Sequence, residues 1–109
     1  MIVWQIISLF WLHWFADFIL QSSYMSMNKS KNPMVLVYHC AVYSLPFFVF
    51  GWIFGLLAGL MHFPVDYVTS KITSKLYAKK EYHWFFVVIG FDQAIHMSIL
   101  VLTFILVVL

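Results

Sequence analysis

The sequence predicts an all-α fold, an integral membrane bundle of four transmembrane helices that forms a single domain, residues 1–109. Of the 109 residues, 64% are hydrophobic and only 9% are charged, whereas apolar residues make up about half of a typical soluble domain. The hydrophobic residues form runs of about 20, the length that crosses the core of a bilayer as a helix. Two polar, lysine-bearing segments, residues 21–32 and 71–83, interrupt these runs.

The first and last spans are bounded by these polar segments. Span 1 is expected at about 2–21 and is followed by QSSYMSMNKSKN. It lacks the basic start and the small-residue cleavage site of a signal peptide, so we expect it to be retained. Span 4 is expected at about 84–107.

The nearly uninterrupted apolar stretch from 34 to 70 is too long for one span. As a single helix it would measure about 55 Å at 1.5 Å per residue, far more than the thickness of a bilayer core. Pro46 and Gly51 are the residues best suited to a tight turn within it. Asn32 followed by Pro33 is typical of a helix start. Spans 2 and 3 are therefore expected at about 33–49 and 51–70.

The lysines indicate how the spans are oriented. Two precede the apolar stretch and four follow it: Lys29, Lys31, Lys71, Lys75, Lys79 and Lys80. Positive residues gather on the cytoplasmic side of a membrane, so both lysine segments are expected inside and both termini outside. The lysines at 71, 75 and 79 form a helical stripe, which indicates a short interfacial helix on anionic lipid headgroups. The net charge of +2 is too small to favour nucleic acid as a partner.

Most histidines and acidic residues fall within the predicted spans. Four of the five histidines and three of the four acidic residues do so: His13, Asp17, His39, His62, Asp66, Asp92 and His96. A charge at membrane depth costs at least about 2.5–3.5 kcal/mol on insertion scales, so these side chains should face the bundle interior. In HWFAD, HFPVD and DQAIH, a histidine and an aspartate stand four residues apart and therefore share one helix face.

We expect these seven residues to lie at a similar depth. With spans of alternating direction, all seven fall in the cytoplasmic half of the membrane, which predicts one site built from all four helices. The three glycines of GWIFGLLAG lie on the same face of span 3 as His62 and Asp66. Small residues let membrane helices approach closely. Pro64 removes a backbone N–H and is expected to bend or loosen the helix beside the site.

Imidazole and carboxylate groups in this number favour a divalent metal, zinc first, with manganese or iron as alternatives. The candidate ligands are His13, Asp17, His39, His62, Asp66, Asp92 and His96. They could hold one metal with four ligands, two metals that share a carboxylate, or a smaller set supported by Asp–His hydrogen bonds. The candidate catalytic residues are Asp17, Asp66 and Asp92, because the set contains no serine, cysteine or lysine nucleophile.

Three functions are compatible with this cluster. The leading hypothesis is a metal site, extended to a metal-dependent hydrolase that acts on a lipid or another membrane-associated phosphate or ester. The second is a proton- or ion-conducting element or transporter that uses the Asp/His residues as a relay. The third is a membrane interaction protein with a structural His/Asp network. A homo-oligomer, with span 3 or span 4 at the contact, is compatible with all three.

Other polar residues are weaker candidates. Gln21 and Gln93 are expected to be either hydrogen-bond partners of the site or ordinary interhelical contacts. Asn28 and Lys29 are expected in a solvated loop, with capping of the site or contact with lipid headgroups as the alternatives. Cys40 is expected to be a small buried residue.

An ordered set of short motifs covers nearly the whole chain: His13-x-x-x-Asp17-Phe18 with Gln21, Asn28-Lys29, His39, His62-x-x-x-Asp66 and Asp92-Gln93-x-x-His96. In this set the sequence resembles a family of small bacterial and phage membrane proteins of unknown function. The resemblance implies a multi-pass protein of the bacterial inner membrane. The layout is similar, more distantly, to integral-membrane metal-dependent hydrolases. Those carry a His-Arg-x-x-Thr-His loop that is missing here, so this likeness implies metal binding more directly than hydrolysis.

Overall fold

The computed structural model describes residues 2–109, and within them it contains helices and no strand. The helices, in order, are α1 (Ile2–Trp14), extended by a π-helical turn (Phe15–Ile19); α2 (Ser23–Asn28); α3 (Pro33–Ser44), extended by a 3-10 helix (Leu45–Phe50); α4 (Trp52–Ala78); and α5 (Tyr82–Val107). The predicted all-α fold is confirmed.

Four helical segments are long and apolar enough to cross a membrane: Ile2–Ile19, Pro33–Phe50, Trp52–Ala78 and Tyr82–Val107. Their outer faces carry large apolar side chains that the protein leaves uncovered, and Trp4, Leu60 and Leu106 are at least 70% exposed. Apolar exposure on this scale is unusual for a soluble monomer and is expected of a surface that faces lipid.

Both polar segments contain helix, which the sequence indicates only for the second. The first contains the short helix α2, whose start is capped by the Ser22 hydroxyl accepting from the Met25 N–H at 3.2 Å. The second is not a separate interfacial helix, because α4 continues from the membrane span as far as Ala78. No glycine or proline interrupts residues 65–80. The helix ends where Lys80 adopts a left-handed φ of 60° and the Glu81 N–H bonds the Leu76 carbonyl at 2.9 Å.

The turn between α3 and α4 lies where Pro46 and Gly51 predict it. Pro46 stands at the start of the 3-10 helix, and Gly51 has a φ of 123°, a conformation that a residue with a side chain rarely adopts. A side chain at Gly51 would meet no neighbour within 4 Å. Gly51 therefore serves the turn, and the expectation that all three glycines serve close packing holds for only two of them.

Gly55 and Gly59 bring α4 against the segment that precedes it. A Cβ atom on Gly59 would lie 2.7 Å from the Ser44 Cβ and 3.0 Å from the Cys40 carbonyl oxygen. One on Gly55 would lie 2.7 Å from the ring of Phe48. The two distances of 2.7 Å are shorter than any normal contact, so α4 and the segment before it can pack this closely only because these positions are glycine. Helix α4 also packs against α5, which makes it the central element of the bundle.

The interior is divided between an apolar end and a polar end. Near the α3–α4 turn, the apolar layer consists of the buried side chains Leu9, Phe47, Phe54, Leu100 and Phe104. At the opposite end the two lysine-bearing segments touch. Lys71 Nζ donates to the Ser30 carbonyl at 2.9 Å, and the Ser74 hydroxyl donates to the Ser30 hydroxyl at 2.8 Å. The predicted clustering of both segments at one end of the bundle is therefore present.

The close α3–α4 contact predicts a contrast between two glycine substitutions. Gly59→Ala should lower the free energy of unfolding by about 1–3 kcal/mol, because its methyl group overlaps Ser44 and Cys40. Gly90→Ala, on the exposed face of α5 with no neighbour within 4 Å, should change it by no more than about 1 kcal/mol. Unfolding in detergent, followed by circular dichroism, measures both. Equal effects would contradict this account of the contact.

Candidate metal centre

The seven histidines and aspartates predicted from the sequence meet in one buried cluster, which we call the His/Asp cluster. They come from all four long helices: His13, Asp17, His39, His62, Asp66, Asp92 and His96. None is more than 7% exposed. Residues scattered over 84 positions of the chain thus share one small volume inside an apolar bundle.

Three ligand atoms from three helices form the centre of the cluster. His39 Nε2 lies 3.1 Å from Asp17 Oδ1 and 3.2 Å from His62 Nε2, and His62 Nε2 lies 3.4 Å from Asp17 Oδ1. The other ring nitrogen of each histidine is buried and has no hydrogen-bond partner among residues 2–109. Each ring therefore directs its one polar contact at the same point. We call Asp17, His39 and His62 the central triad.

Two of the triad residues lie at irregular or proline-bearing positions of their helices. Asp17 lies in the π-helical turn of α1, where the Leu20 N–H bonds the Phe15 carbonyl at 2.9 Å. Such wide turns inside α-helices are frequent at functional sites, because they displace a side chain from its regular position. His62 and Asp66 lie one turn apart on α4, which continues through Pro64 without a break. The proline does not interrupt the helix, although its missing N–H deprives the Leu60 carbonyl of its usual donor.

Asp66 stands between the central triad and the rest of the cluster. Its Oδ2 lies 3.5 Å from His39 Nε2 and 3.7 Å from His62 Nε2. Its Oδ1 faces the other way, 3.9 Å from His96 Nε2. The two oxygens of one carboxylate therefore face two different groups of ligand atoms.

Asp92 and His96 form the far side of the cluster. His96 Nε2 lies 3.1 Å from Asp92 Oδ1. The Thr69 hydroxyl donates to the same Asp92 oxygen at 2.6 Å. Three sets of residues bring one ligand atom each to within 4.8 Å of one another: Asp17, His39 and His62; His62, Asp66 and His96; and Asp17, Asp92 and His96.

His13 lies at the edge of the cluster, where other side chains engage its ring. Its Nε2 donates to Gln93 Oε1, and its Nδ1 accepts from the Tyr43 hydroxyl at 2.8 Å. Both ring nitrogens are thus used, and His13 belongs to none of the three sets. The Gln93 amide nitrogen donates to Asp17 Oδ2 at 3.4 Å and to Asp92 Oδ2 at 3.1 Å. Gln93 therefore holds both carboxylates from outside the central triad.

Stacked rings set the orientation of the histidines and mark the boundary of the cluster. The His62 ring lies between those of Tyr43 and His96, with centroids 3.9 Å away on each side. On its other side Tyr43 contacts Phe47 of the apolar layer, with a centroid distance of 5.1 Å. The polar contacts of the cluster therefore end at Tyr43.

Lys29 closes the other end of the cluster, whereas the sequence favours a solvated loop at this position. Its ammonium donates to Asp66 Oδ2 at 2.8 Å, and its side chain is 14% exposed. Asn28 does not take part; its amide nitrogen donates to the Tyr24 carbonyl of its own helix at 2.9 Å. Thr69 is a member of the site that is not predicted above, although its spacing of three residues from Asp66 places it on the same face of α4.

The cluster has a marked charge imbalance. Three carboxylates face one ammonium, that of Lys29, within hydrogen-bond distance. When the histidines are neutral, the three carboxylates and the single ammonium leave the cluster with a net charge of −2. Charges buried without compensation are costly in an apolar interior, so this arrangement suits a cation.

A family model described as "Protein of unknown function (DUF3307)" matches residues 5–109, which is nearly the whole chain. The expected resemblance to an uncharacterised family is confirmed at this level. No curated protein and no solved structure matches the chain.

The Lys29–Asp66 pair predicts a selective effect of one lysine. In buffer containing a chelator, Lys29→Met should lower the free energy of unfolding by about 1–3 kcal/mol, because the buried Asp66 carboxylate loses a charged donor. Lys31→Met removes the same charge from an exposed position on the same connection and should leave stability unchanged. Unfolding in detergent compares the two. If Lys31→Met cost as much as Lys29→Met, net charge and not the buried pair would account for both.

Proposed function

Because the chain belongs to the DUF3307 family, whose function is unknown, we propose its function from the site alone: it binds one divalent metal ion inside the membrane bundle. The central triad would supply the ligand atoms. The observation that carries this proposal is the convergence of Asp17 Oδ1, His39 Nε2 and His62 Nε2 at mutual distances of 3.1, 3.2 and 3.4 Å.

These distances suit a tetrahedral metal ion better than a hydrogen-bonded group. For bonds of about 2.0–2.1 Å, they correspond to ligand–metal–ligand angles of about 95–116°, on either side of the tetrahedral value. As a hydrogen-bond donor, His39 Nε2 carries a single proton, yet three polar atoms lie within 3.5 Å of it. A single proton can form a good hydrogen bond with only one of these atoms, whereas a single metal ion can bind all of them together with His39 Nε2.

The donor set indicates which metal. Two imidazole nitrogens and one carboxylate oxygen, with Asp66 Oδ2 or a water as fourth ligand, form a set that zinc accepts readily. Manganese and iron accept the same atoms at higher coordination number. One divalent ion would also neutralise the two uncompensated negative charges of the cluster, which supports a single ion in the resting protein.

We extend the proposal to hydrolysis of a lipid or another membrane-associated phosphate or ester. A metal ion held by three protein ligands with a fourth position open to water is the arrangement of catalytic zinc sites. Asp66 and Asp92 lie beside the central triad, where a carboxylate could accept a proton from water or orient it. The cluster also borders the polar end of the bundle, at Lys29, from which a headgroup would approach.

The structure offers less support for a proton or ion pathway across the membrane. A transmembrane relay needs polar groups or water along the whole span. Beyond Tyr43 lies the apolar layer, in which Phe54 packs edge-to-face against both Phe47 and Phe104. The buried hydroxyl at this level, that of Thr103, donates to Met61 Sδ at 3.4 Å and so does not extend the His/Asp cluster. A polar cluster closed on one side suits binding or catalysis better than transfer.

We further propose that the protein lies in a bacterial inner membrane with both lysine segments in the cytoplasm. The contacts of Lys71 and Ser74 with Ser30 support a common side for the two segments, and the positive-inside rule supports the cytoplasmic side. The exposed lysines Lys75, Lys79 and Lys80 would then meet anionic headgroups.

Cysteine labelling tests this orientation. In a Cys40→Ser background, Lys80→Cys should be protected from a membrane-impermeant maleimide in intact cells, whereas Leu109→Cys should be labelled. Permeabilised cells, in which both positions react, are the control. The reverse pattern in intact cells would contradict the proposed orientation.

Elemental analysis tests the metal site. Protein purified in detergent without added metal or chelator should carry about one equivalent of a divalent metal. Asp17→Asn and His62→Gln should each reduce this content at least tenfold, because each removes one of three converging ligands. His83→Gln, at an exposed histidine outside the cluster, should retain it. A folded wild-type protein without metal would refute the proposal.

A further inference from the structure

The two oxygens of Asp66 face two separate groups of ligand atoms. Oδ2 approaches His39 and His62 at 3.5 and 3.7 Å, while Oδ1 approaches His96 at 3.9 Å. A carboxylate placed in this way is suited to bridging two metal ions, which lie about 3.5–4 Å apart in two-metal hydrolytic sites. The central triad accounts for only one side of this bridge.

We propose that a second divalent cation binds at Asp66 Oδ1, Asp92 Oδ1 and His96 Nε2, and that it enters together with an oxyanion of the phosphate class. This inference rests on the proposed function, because Asp66 bridges only if the first ion is present. We call this position the second subsite. The first ion would be resident and the second would arrive with the ligand.

His96 supplies the observation that points to a ligand here. It is only 3% exposed, and its Nε2 has no hydrogen-bond partner within the described chain. That atom nevertheless points between two carboxylate oxygens, 3.1 Å from Asp92 Oδ1 and 3.9 Å from Asp66 Oδ1. For bonds of about 2.1–2.2 Å, a cation shared by His96 and Asp92 would have an angle of about 90° between them, and one shared by His96 and Asp66 an angle of about 130°. Both angles are within the range of five- or six-coordinate sites.

Thr69 and Gln93 hold Asp92 in place for this role. The Thr69 hydroxyl bonds Asp92 Oδ1 at 2.6 Å, and the Gln93 amide bonds Asp92 Oδ2 at 3.1 Å. Hydrogen bonds of this kind orient metal-ligating carboxylates. Both carboxylate oxygens of Asp92 are thus held in place by neighbouring donors, while Oδ1 remains within reach of His96.

Charge explains why the second cation needs an anion. One divalent ion balances the three carboxylates and Lys29, so a second would leave the cluster with two excess positive charges in an apolar bundle. That excess is costly at membrane depth. A phosphate dianion would remove it, and its oxygens can bridge two metal ions. The Lys29 ammonium lies at the polar end, where such an anion would enter. Both a free phosphate and a lipid phosphomonoester supply a phosphate dianion.

Metal binding with and without oxyanions tests the inference. Wild-type protein in detergent is first freed of its resident metal with a chelator, and the chelator is removed. The protein is then dialysed to equilibrium against Mn²⁺ with chloride as the only anion, and then with inorganic phosphate added. In parallel, protein in phosphatidylcholine nanodiscs is compared with protein in nanodiscs that contain phosphatidic acid. We expect one equivalent of Mn²⁺ in chloride alone and in phosphatidylcholine nanodiscs. We expect two equivalents when a phosphate dianion or phosphomonoester is present, the second giving the electron paramagnetic resonance spectrum of an exchange-coupled pair. If the second equivalent binds in the presence of inorganic phosphate, the ligand can be a free phosphate. If the second equivalent binds only in the presence of phosphatidic acid, the ligand is a lipid headgroup.

Two variants assign the second equivalent. Asp92→Asn and His96→Gln should each lose it and keep the first, while His83→Gln should bind as wild type does. One equivalent in every arm would overturn this inference and leave the proposed function standing. Two equivalents in chloride alone would overturn the requirement for an oxyanion. No bound Mn²⁺ in any arm would overturn the central site, and the second subsite with it.

Discussion

The burial of three carboxylates inside an apolar bundle is the constraint on which the rest of this structure depends. Each would be costly at membrane depth if it had no partner. The protein meets this cost by placing Asp17, Asp66 and Asp92 within reach of histidines, hydroxyls, an amide and one lysine. The helices are therefore arranged so that their polar positions coincide, and the apolar residues pack around that arrangement.

Helix α4 is central to this arrangement. Gly55 and Gly59 allow α3 to approach, so that His39 comes within 3.2 Å of His62. The same helix presents Asp66 and Thr69 towards α5. The aromatic layer beyond Tyr43 closes the cluster on one side, and Lys29 covers it on the other. A site with one polar end and one apolar end has a defined direction of access, which a symmetric bundle would lack.

Much of the cluster could be predicted because a spacing of four residues and a shared depth are properties of the sequence itself. The pairs at His62 and Asp66 and at Asp92 and His96 follow directly from helix geometry. The supporting role of His13 could not be predicted, because it depends on Tyr43 and Gln93, which are 30 and 80 residues away. Lys29 reaches Asp66 only because α2 folds the polar segment back. The π-helical turn at Asp17 likewise has no sequence signature that we recognise.

The hydrogen bonds from Gln93 to the first helix have a consequence for biosynthesis. Asp17 and Gln93 are separated by 76 positions in the chain, and His13 and Gln93 by 80. At about 5–20 residues per second, a ribosome needs about 4–16 s to make the intervening chain. The first helix therefore carries an aspartate and a histidine into the membrane before one of their partners, Gln93, exists. Before α5 is made, Asp17 can already contact His39 and His62, and His13 can contact Tyr43. The hydrogen bonds from Gln93, which join the first helix to the last, are therefore the last part of the cluster to form.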